Sequence, residues 1–317
     1  MEKELLSVIV LAYKQGELIY ETLDSVFNQD YPEIELIIAE DGAPGFDKTP
    51  IEEYIKANAG NNIKSSTVHV QPVNVGTVKN INTAINLSQG KYIKIIAGDD
   101  TYPEKDVFSR QVEYLLANPN CPLVIGNIAE CDADMNALSY CGFAPYGKEH
   151  LLSGDRKELL KLIVRKMPNL ISTQAICFKK GFFEDVGLFD EHFRLVEDLP
   201  FAVKLITSES KIGYIDYPCV NHRGAVGIST SSNAFDERRI AYYTDLKTYY
   251  ELCLMPIKDK VGKLYVNMRY QLMCFRIKYS DKSLSKLKRL GLLIRYSLPI
   301  VYYMATNIKR SKFYLKG

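Results

Sequence analysis

Apolar residues in the first hundred positions fall into short continuous runs separated by amphipathic stretches. Residues 6–11 (Leu-Ser-Val-Ile-Val-Leu) predict a buried strand. Residues 17–27, with Leu18, Ile19, Leu23, Val26 and Phe27 near helical spacing, predict the helix that follows. The alternation continues with a strand at 34–39, a helix at 50–57 opened by Pro50, and a strand at 68–70. A helix at 77–87 and a strand at 92–97 complete it. Crossovers of this length imply a parallel sheet covered by helices on both faces. After Asp100 the rhythm loosens: helices at 103–117, 155–164, 179–186 and 200–207 are interleaved with strands at 123–126, 173–178 and 212–215. From 236 onward the pattern predicts only helices, and there is no internal repeat.

Composition narrows the class without naming it. With 47% apolar and 25% charged residues in 317, the chain has the usage of a soluble globular protein, which excludes disordered and collagen-like classes. The net charge of +2 conceals a division: residues 256–317 carry 15 basic and 2 acidic side chains, against 25 basic and 36 acidic before them. Seven cysteines without a Cys-x-x-Cys pair argue against a zinc site or a disulfide framework and suit a reducing compartment. The amino terminus shows no signal-peptide pattern, and the uncharged run at 296–307 is shorter than the ~20 residues a bilayer span needs. A cytoplasmic protein is expected.

Ligands of open α/β sheets bind at the carboxyl ends of the strands, so the residues standing there carry the candidate chemistry. The first strand ends in Ala12-Tyr13-Lys14 and the second in Glu40-Asp41-Gly42. The third is followed by Asn74-Val75-Gly76-Thr77, and the fourth ends in Gly98-Asp99-Asp100. Two adjacent carboxylates repel unless a cation lies beside them, and Mg²⁺ or Mn²⁺ is bound by one or two carboxylates plus phosphate oxygens. The plainer alternative is that Asp100 or Thr101 caps the next helix. Asp41 before Gly42 is either a turn former or an acceptor for a nucleobase N–H, with Tyr13 stacking on that base.

These segments together resemble the successive signatures of family 2 glycosyltransferases. They are residues 7–14 (SVIVLAYK), 23–31 (LDSVFNQDY), 35–42 (ELIIAEDG), Asn74-Val75-Gly76 before a helix with Lys79-Asn80, and Gly90-Lys91-Tyr92-Ile93 leading to Asp99-Asp100. The resemblance covers roughly residues 5–230. It implies an A-type glycosyltransferase fold: an α/β, Rossmann-like unit with a mostly parallel sheet, performing metal-dependent, inverting transfer of one sugar from a nucleotide-sugar donor, UDP-sugars favoured. The expected division is a catalytic domain at 1–233, with a nucleotide-binding half at 1–102 and an acceptor-binding half at 103–233, then a basic helical region at 234–317.

In family terms the donor lies against Leu11, Ala12, Tyr13, Asp41, Lys79 and Asp99. Tyr13 and Asp41 hold the base, Lys79 replaces a usual arginine at the nucleotide, and Asp99 meets the ribose or sugar. Asp100 binds Mn²⁺ or Mg²⁺. Lys14, Glu40 and Ala43-Pro44 depart from the usual asparagine, aspartate and serine-threonine, which bears on base identity more than on fold.

Residues 186–191 (VGLFDE) and 196–200 (VEDLP) resemble the family's Gly-x-Phe-Asp and Glu-Asp signatures. Inverting transfer needs a base for the acceptor hydroxyl; Asp198 is the candidate and Glu197 its substitute, the plainer reading being two acids at the positive end of a helix. His222, expected in a loop after the last strand, is a candidate metal ligand or a solvated side chain, and Arg223 could meet a diphosphate. Residues 227–233 read as a lid. No tryptophan, hence no Gln-x-x-Arg-Trp signature, and no predicted span separate the chain from processive synthases. A sugar nucleotidyltransferase and an inactive nucleotide-sugar-binding module are the alternatives; the first lacks its Gly-rich loop, and Asp99, Asp100 and Asp198 speak against the second. The basic tail, with leucines among its cations, favours peripheral contact with an anionic membrane and a lipid-linked saccharide acceptor over nucleic acid; an oligomer contact is the other possibility.

Overall fold

The computed structural model describes residues 3–141, 153–166, 171–224, 237–257 and 259–314. The chain divides into two compact units, Met1–Leu159 with Asn169–Gly227, and Leu160–Pro168 with Ile228–Gly317.

The first unit opens with β1 (Leu6–Ala12), α1 (Leu18–Phe27), β2 (Ile34–Glu40), α2 (Thr49–Asn58), β3 (Ile63–Val70), α3 (Thr77–Leu87) and β4 (Tyr92–Ala97). These four strands are parallel, in the order β3-β2-β1-β4. Successive side chains alternate faces. Val8, Val10, Leu36 and Ile38 accordingly join the α1 and α2 residues Leu23, Val26, Ile51 and Ile55 in one core, while α3 packs on β1 and β2. Each such aliphatic side chain contributes roughly 1.5–3 kcal/mol on burial. β3 begins five residues earlier than its apolar run indicates. As the edge strand it is exposed at Lys64, Ser65 and Ser66, and polar residues there discourage pairing with another chain.

At the amino ends of the strands, Ser7 Oγ donates to Glu35 at 2.5 Å and accepts from Gly90 N at 2.8 Å. A Cβ on Gly90 would lie 2.5 Å from that oxygen, which explains the glycine of the Gly-Lys-Tyr-Ile segment.

The sheet continues through α4 (Val107–Ala117), β5 (Leu123–Cys131), β6 (Ala137–Cys141), α5 (Arg156–Lys166), a 3-10 turn at Thr173–Ala175, β7 (Ile176–Lys179), α6 (Gly181–Val186), α7 (Asp198–Thr207) and β8 (Ile212–Arg223). β7 runs antiparallel between β4 and β5, β6 pairs antiparallel with β5, and β8 pairs parallel with β5. β6 went unseen in the sequence. β8 is far longer than the expected 212–215: its register slips around Asn127, with Pro218 opposite, and pairing then resumes to Arg223. A bulge is where a strand tolerates proline.

The second unit is helical where described. Besides the α5 residues from Leu160 onward, it comprises α8 (Glu237–Tyr249) with a π turn at Tyr250–Leu254, α9 (Lys260–Tyr279), α10 (Lys286–Arg295) and α11 (Ser297–Tyr314). Its tyrosines interleave with arginines. Arg276 lies 4.8 Å from the Tyr243 ring and 5.0 Å from the Tyr303 ring, and Arg269 lies 4.6 Å from Tyr303, so cation–π contacts link α8, α9 and α11. Among the described residues, no helix is long and apolar enough to cross a membrane.

Candidate active site

Chain order reverses at β1, whose neighbours are β2 and β4, and in such sheets the crevice beyond the carboxyl ends at that point receives ligands. Leu11 and Ala12 join the neighbouring strand ends through their backbones. The Leu11 carbonyl accepts from Gly98 N at 2.8 Å, and the Ala12 carbonyl accepts from Asp41 N at 2.9 Å. Register alone therefore gathers Tyr13, Asp41 and the Asp99-Asp100 pair at one edge. Tyr13 is half-buried, with Lys14 Nζ 5.2 Å from its ring centre and Lys14 held at φ +62°.

Asp41 has an occupation that the sequence did not disclose. Its buried carboxylate accepts from Val75 N at 2.7 Å, Gly76 N at 3.0 Å and Asn74 Nδ2 at 2.8 Å, pinning the turn that opens α3. Three donors leave about one of a carboxylate's four acceptor positions free. Burial raises its pKa and those backbone bonds oppose the rise. Gly42 beside it has φ +66°, and a Cβ there would sit 2.3 Å from the Val73 carbonyl carbon. Glu40, also buried, accepts from Gly42 N at 2.8 Å and Ala43 N at 3.0 Å. Lys79 stands exposed in the first turn of α3.

Asp100 is 1% exposed. Its Oδ1 accepts from Arg223 N at 2.7 Å and its carbonyl from Thr22 Oγ1 at 2.7 Å, while Oδ2 is buried without a hydrogen-bond partner among the described residues. Burial pushes its carboxyl up to about 6, against the opposing field of His222. Asp99, half-buried, is raised by burial too. A buried anionic oxygen lacking a donor is costly, and a divalent cation relieves that cost. Among the described residues no group of three or more His, Cys, Asp or Glu forms a metal cage. The unpartnered Asp100 oxygen is a hard donor of the kind that suits Mg²⁺ or Mn²⁺, which take one or two carboxylates together with ligand phosphates and water.

His222 lies inside β8 rather than in the expected loop, because the strand resumes past its bulge. Its Nδ1 is 2.9 Å from Glu130 Oε2, and that bond raises the imidazole to about 9, with the fields of Asp100 and Asp99 adding to it. Arg223 is not available to a diphosphate. It is 5% exposed, and its guanidinium is spent on the Asp99 carbonyl at 2.9 Å, Glu21 at 2.5 Å and the Ala133 carbonyl. It ties β8 to the aspartate turn instead.

Glu197 and Asp198 are both half-buried; Glu197 precedes α7 and Asp198 is its first residue, with Oδ1 accepting from Leu199 N at 2.8 Å. The segment before them is fastened to α3. Asn82 pairs with both backbone groups of Phe189, at 2.9 and 3.0 Å, and the Arg194 carbonyl accepts from Val78 N at 3.2 Å. Arg194 also donates to Asn74 Oδ1 at 2.5 Å, and a Cβ on Gly76 would meet the Arg194 side chain at 2.4 Å. The loop ahead of α7 thus abuts the turn that Asp41 holds.

Sequence reasoning missed Gln174, whose Oε1 accepts from Ala97 N at 2.9 Å and whose side chain opposes, weakly, the upward push of burial on Asp100. It also missed what supports Gln174. Buried Lys94 donates to Gln111 Oε1 at 2.6 Å, and Gln111 Nε2 donates to the Ala175 carbonyl at 2.9 Å. A lysine inside the apolar run Tyr-Ile-Lys-Ile-Ile was the available signal. The expected lid at 227–233 lies outside the described residues.

The Glycosyl transferase family 2 profile matches residues 7–183, more than half the chain, and the chain belongs to that family. It is an enzyme family, and the architecture is the A-type glycosyltransferase fold. The uncharacterised glycosyltransferase EpsJ of Bacillus subtilis is 26% identical over 227 residues, which span 67% of this chain and 59% of EpsJ. Staphylococcus aureus TarS 1-349 in complex with UDP-GlcNAc superposes with a TM-score of 0.57 at 16% identity, covering 93% of this chain and 81% of that one. The mannosyltransferase PcManGT of Pyrobaculum calidifontis, in complex with GDP-Man and Mn²⁺, gives 0.56 at 18%, covering 98% and 85%. At these identities the two structures speak for the fold alone.

Proposed function

We propose that the protein is an inverting, metal-dependent transferase that moves one sugar from a nucleotide sugar, UDP-sugars favoured, to a glycan or lipid-linked saccharide during surface polysaccharide synthesis, at the cytoplasmic face of the membrane. The observation that carries the reading is the Asp100 Oδ2 atom: a buried carboxylate oxygen without a donor among the described residues, at the strand-order switch point of a family 2 chain. The Mn²⁺ and nucleotide sugars named with the two structural neighbours support it.

Tyr13 stacks on the base, and the remaining acceptor position of Asp41 takes a base N–H. Lys79, at the positive end of α3, offers its charge to the nucleotide. Asp99 meets the ribose or sugar, and Asp100, with His222 beside it, holds Mn²⁺ or Mg²⁺. When bound, the cation neutralises charge on the departing nucleoside diphosphate as a Lewis acid. Asp198 accepts the proton of the attacking acceptor hydroxyl; Glu197 is its substitute. Glu130 holds the His222 ring, and Gln174 holds the end of β4 through Ala97 N.

Thermal shift with UDP, GDP and their sugar conjugates, each with Mn²⁺, Mg²⁺ or chelator, paired with donor hydrolysis, tests the reading. A metal-dependent shift and turnover with one base class are expected. Full turnover under chelation would refute the metal role, and a shift without any turnover would favour the inactive binding module.

A further inference from the structure

The carboxy-terminal helices combine two features that a water-facing surface does not need together. α10 buries none of its residues, yet it carries Leu287 at 80%, Leu290 at 53% and Ile294 at 68% exposure. The three are spaced i, i+3, i+7, so they share one stripe. The stripe has a counterpart on α11 in Leu298, Val301 and Met304, all exposed. An apolar patch of this kind marks an interaction surface.

Beside the stripe, a groove of about 610 Å³ runs between the end of α9 and α10. Its apolar wall includes Ile277, Leu284 and Leu292, and its rim carries Lys278, Lys288 and Arg295. Lys278 Nζ lies 3.2 Å from the Tyr296 hydroxyl, and Arg295 lies 5.7 Å from the same buried ring, so two of the cations are set around one aromatic post. Asp281 is the lone acid lining the groove among the described residues; its Oδ1 accepts from Ser283 N at 2.8 Å and Ser283 Oγ at 2.7 Å, and these bonds, with the fields of Arg289 and Lys288, hold its carboxyl below the usual range. Arg289 is excluded from ligand binding because it donates to the carbonyls of Tyr279 and Asp281, at 2.7 and 2.8 Å.

We propose that the exposed α10–α11 stripe lies in the interface of an anionic phospholipid bilayer, with a lipid phosphate seated between Lys278, Lys288 and Arg295 and its acyl chains along Ile277, Leu284 and Leu292. The proposal deepens the membrane contact given under the proposed function. Charge complementarity selects the occupant: residues 256–317 carry 15 basic and 2 acidic side chains. A second copy of this face would bring two strongly cationic surfaces together. Nucleic acid would leave Leu287 and Ile294 in water. A bilayer takes both, burying the apolar face at the acyl boundary while its phosphates meet the cations.

The test uses the full chain and sedimentation with vesicles of phosphatidylglycerol mixed with phosphatidylcholine, against phosphatidylcholine alone. Binding to the anionic vesicles alone, weakened by salt, is expected. Lys278→Gln, Lys288→Gln and Arg295→Gln together should weaken it about a hundredfold, at the usual contribution of each interfacial cation. Leu287→Ser with Ile294→Ser should weaken it about tenfold or more at an unchanged unfolding midpoint. The single Leu287→Ser change, at an 80% exposed position, serves if the double variant unfolds.

Equal binding to neutral vesicles, no binding at all, or indifference to the cation variant overturns the proposal. So does a concentration-dependent dimer lost in the leucine variant, or duplex DNA displacing the vesicles while the leucine variant binds them normally. Vesicle binding without donor turnover would sink the catalytic reading alone, and turnover without vesicle binding would sink this one alone.

Discussion

Ionising the Asp100 carboxyl places a charge in a position only 1% exposed, and Asp100→Asn removes that charge while keeping the side-chain shape. Its folded pKa of about 6 lies above the ordinary 3.8. The folded state therefore binds the proton more tightly than the unfolded chain, and stability falls as pH rises through that window. At 1.36 kcal/mol per unit, a shift of about two units costs the metal-free fold roughly 3 kcal/mol above pH 6 and almost nothing below pH 4. In the variant, Oδ1 still accepts from Arg223 N, but the new amide replaces an oxygen that has no partner, and an unpaired buried amide costs ~1–2 kcal/mol.

The net expectation is a metal-free protein about 1–2 kcal/mol more stable at pH 7.5, unfolding ~1.5–3 °C higher, with the gain gone near pH 4. Donor hydrolysis should fall by a factor of 10² or more, and the stabilisation of the native protein by Mn²⁺ with nucleoside diphosphate should vanish. Differential scanning fluorimetry across pH, with and without metal, reads all three. A variant less stable than the native chain at pH 7.5, or a gain that persists at pH 4, would refute the argument that burial of this charge is what the fold bears for function.

Asp198→Asn should lower transfer by ~10²–10⁴ with little change in donor KM or unfolding midpoint, since a proton acceptor acts in the chemical step; steady-state kinetics with a competent acceptor check it. Gly42→Ala should destabilise the fold by at least ~2 kcal/mol, because φ is +66° and the added Cβ would lie 2.3 Å from a backbone carbonyl carbon; urea midpoints report it. Lys94→Met leaves Gln111 Oε1 without its 2.6 Å donor and should cost ~1–3 kcal/mol, part of which Lys94→Met with Gln111→Met recovers; a double-mutant cycle in urea measures the coupling.

The parallel strands, the helices between them and the acidic strand ends were legible in the sequence. Buried parallel strands such as β1, β2 and β4 write themselves as continuous aliphatic runs, and α1 and α3 repeat their apolar residues at helical spacing. Period and polarity are local properties, and local properties survive in a linear string. The charge division at the carboxyl end survives for the same reason.

Tertiary structure decided what each polar group is for. Arg223 could reach a diphosphate as far as the sequence showed, and the pairing of β8 with β5 instead buries its guanidinium against Glu21 and the Asp99 carbonyl. His222 moved from loop to strand because the slip around Pro218 lets pairing resume beyond it, which no propensity encodes. Asp41 spends its carboxylate on Asn74, Val75 and Gly76, and Gln174 Oε1 accepts from Ala97 N across more than seventy residues. Hydrogen bonds of that kind depend on through-space geometry set by register and crossover. The composition of the chain fixes which groups exist, and only the folded backbone fixes which of them are left without a partner.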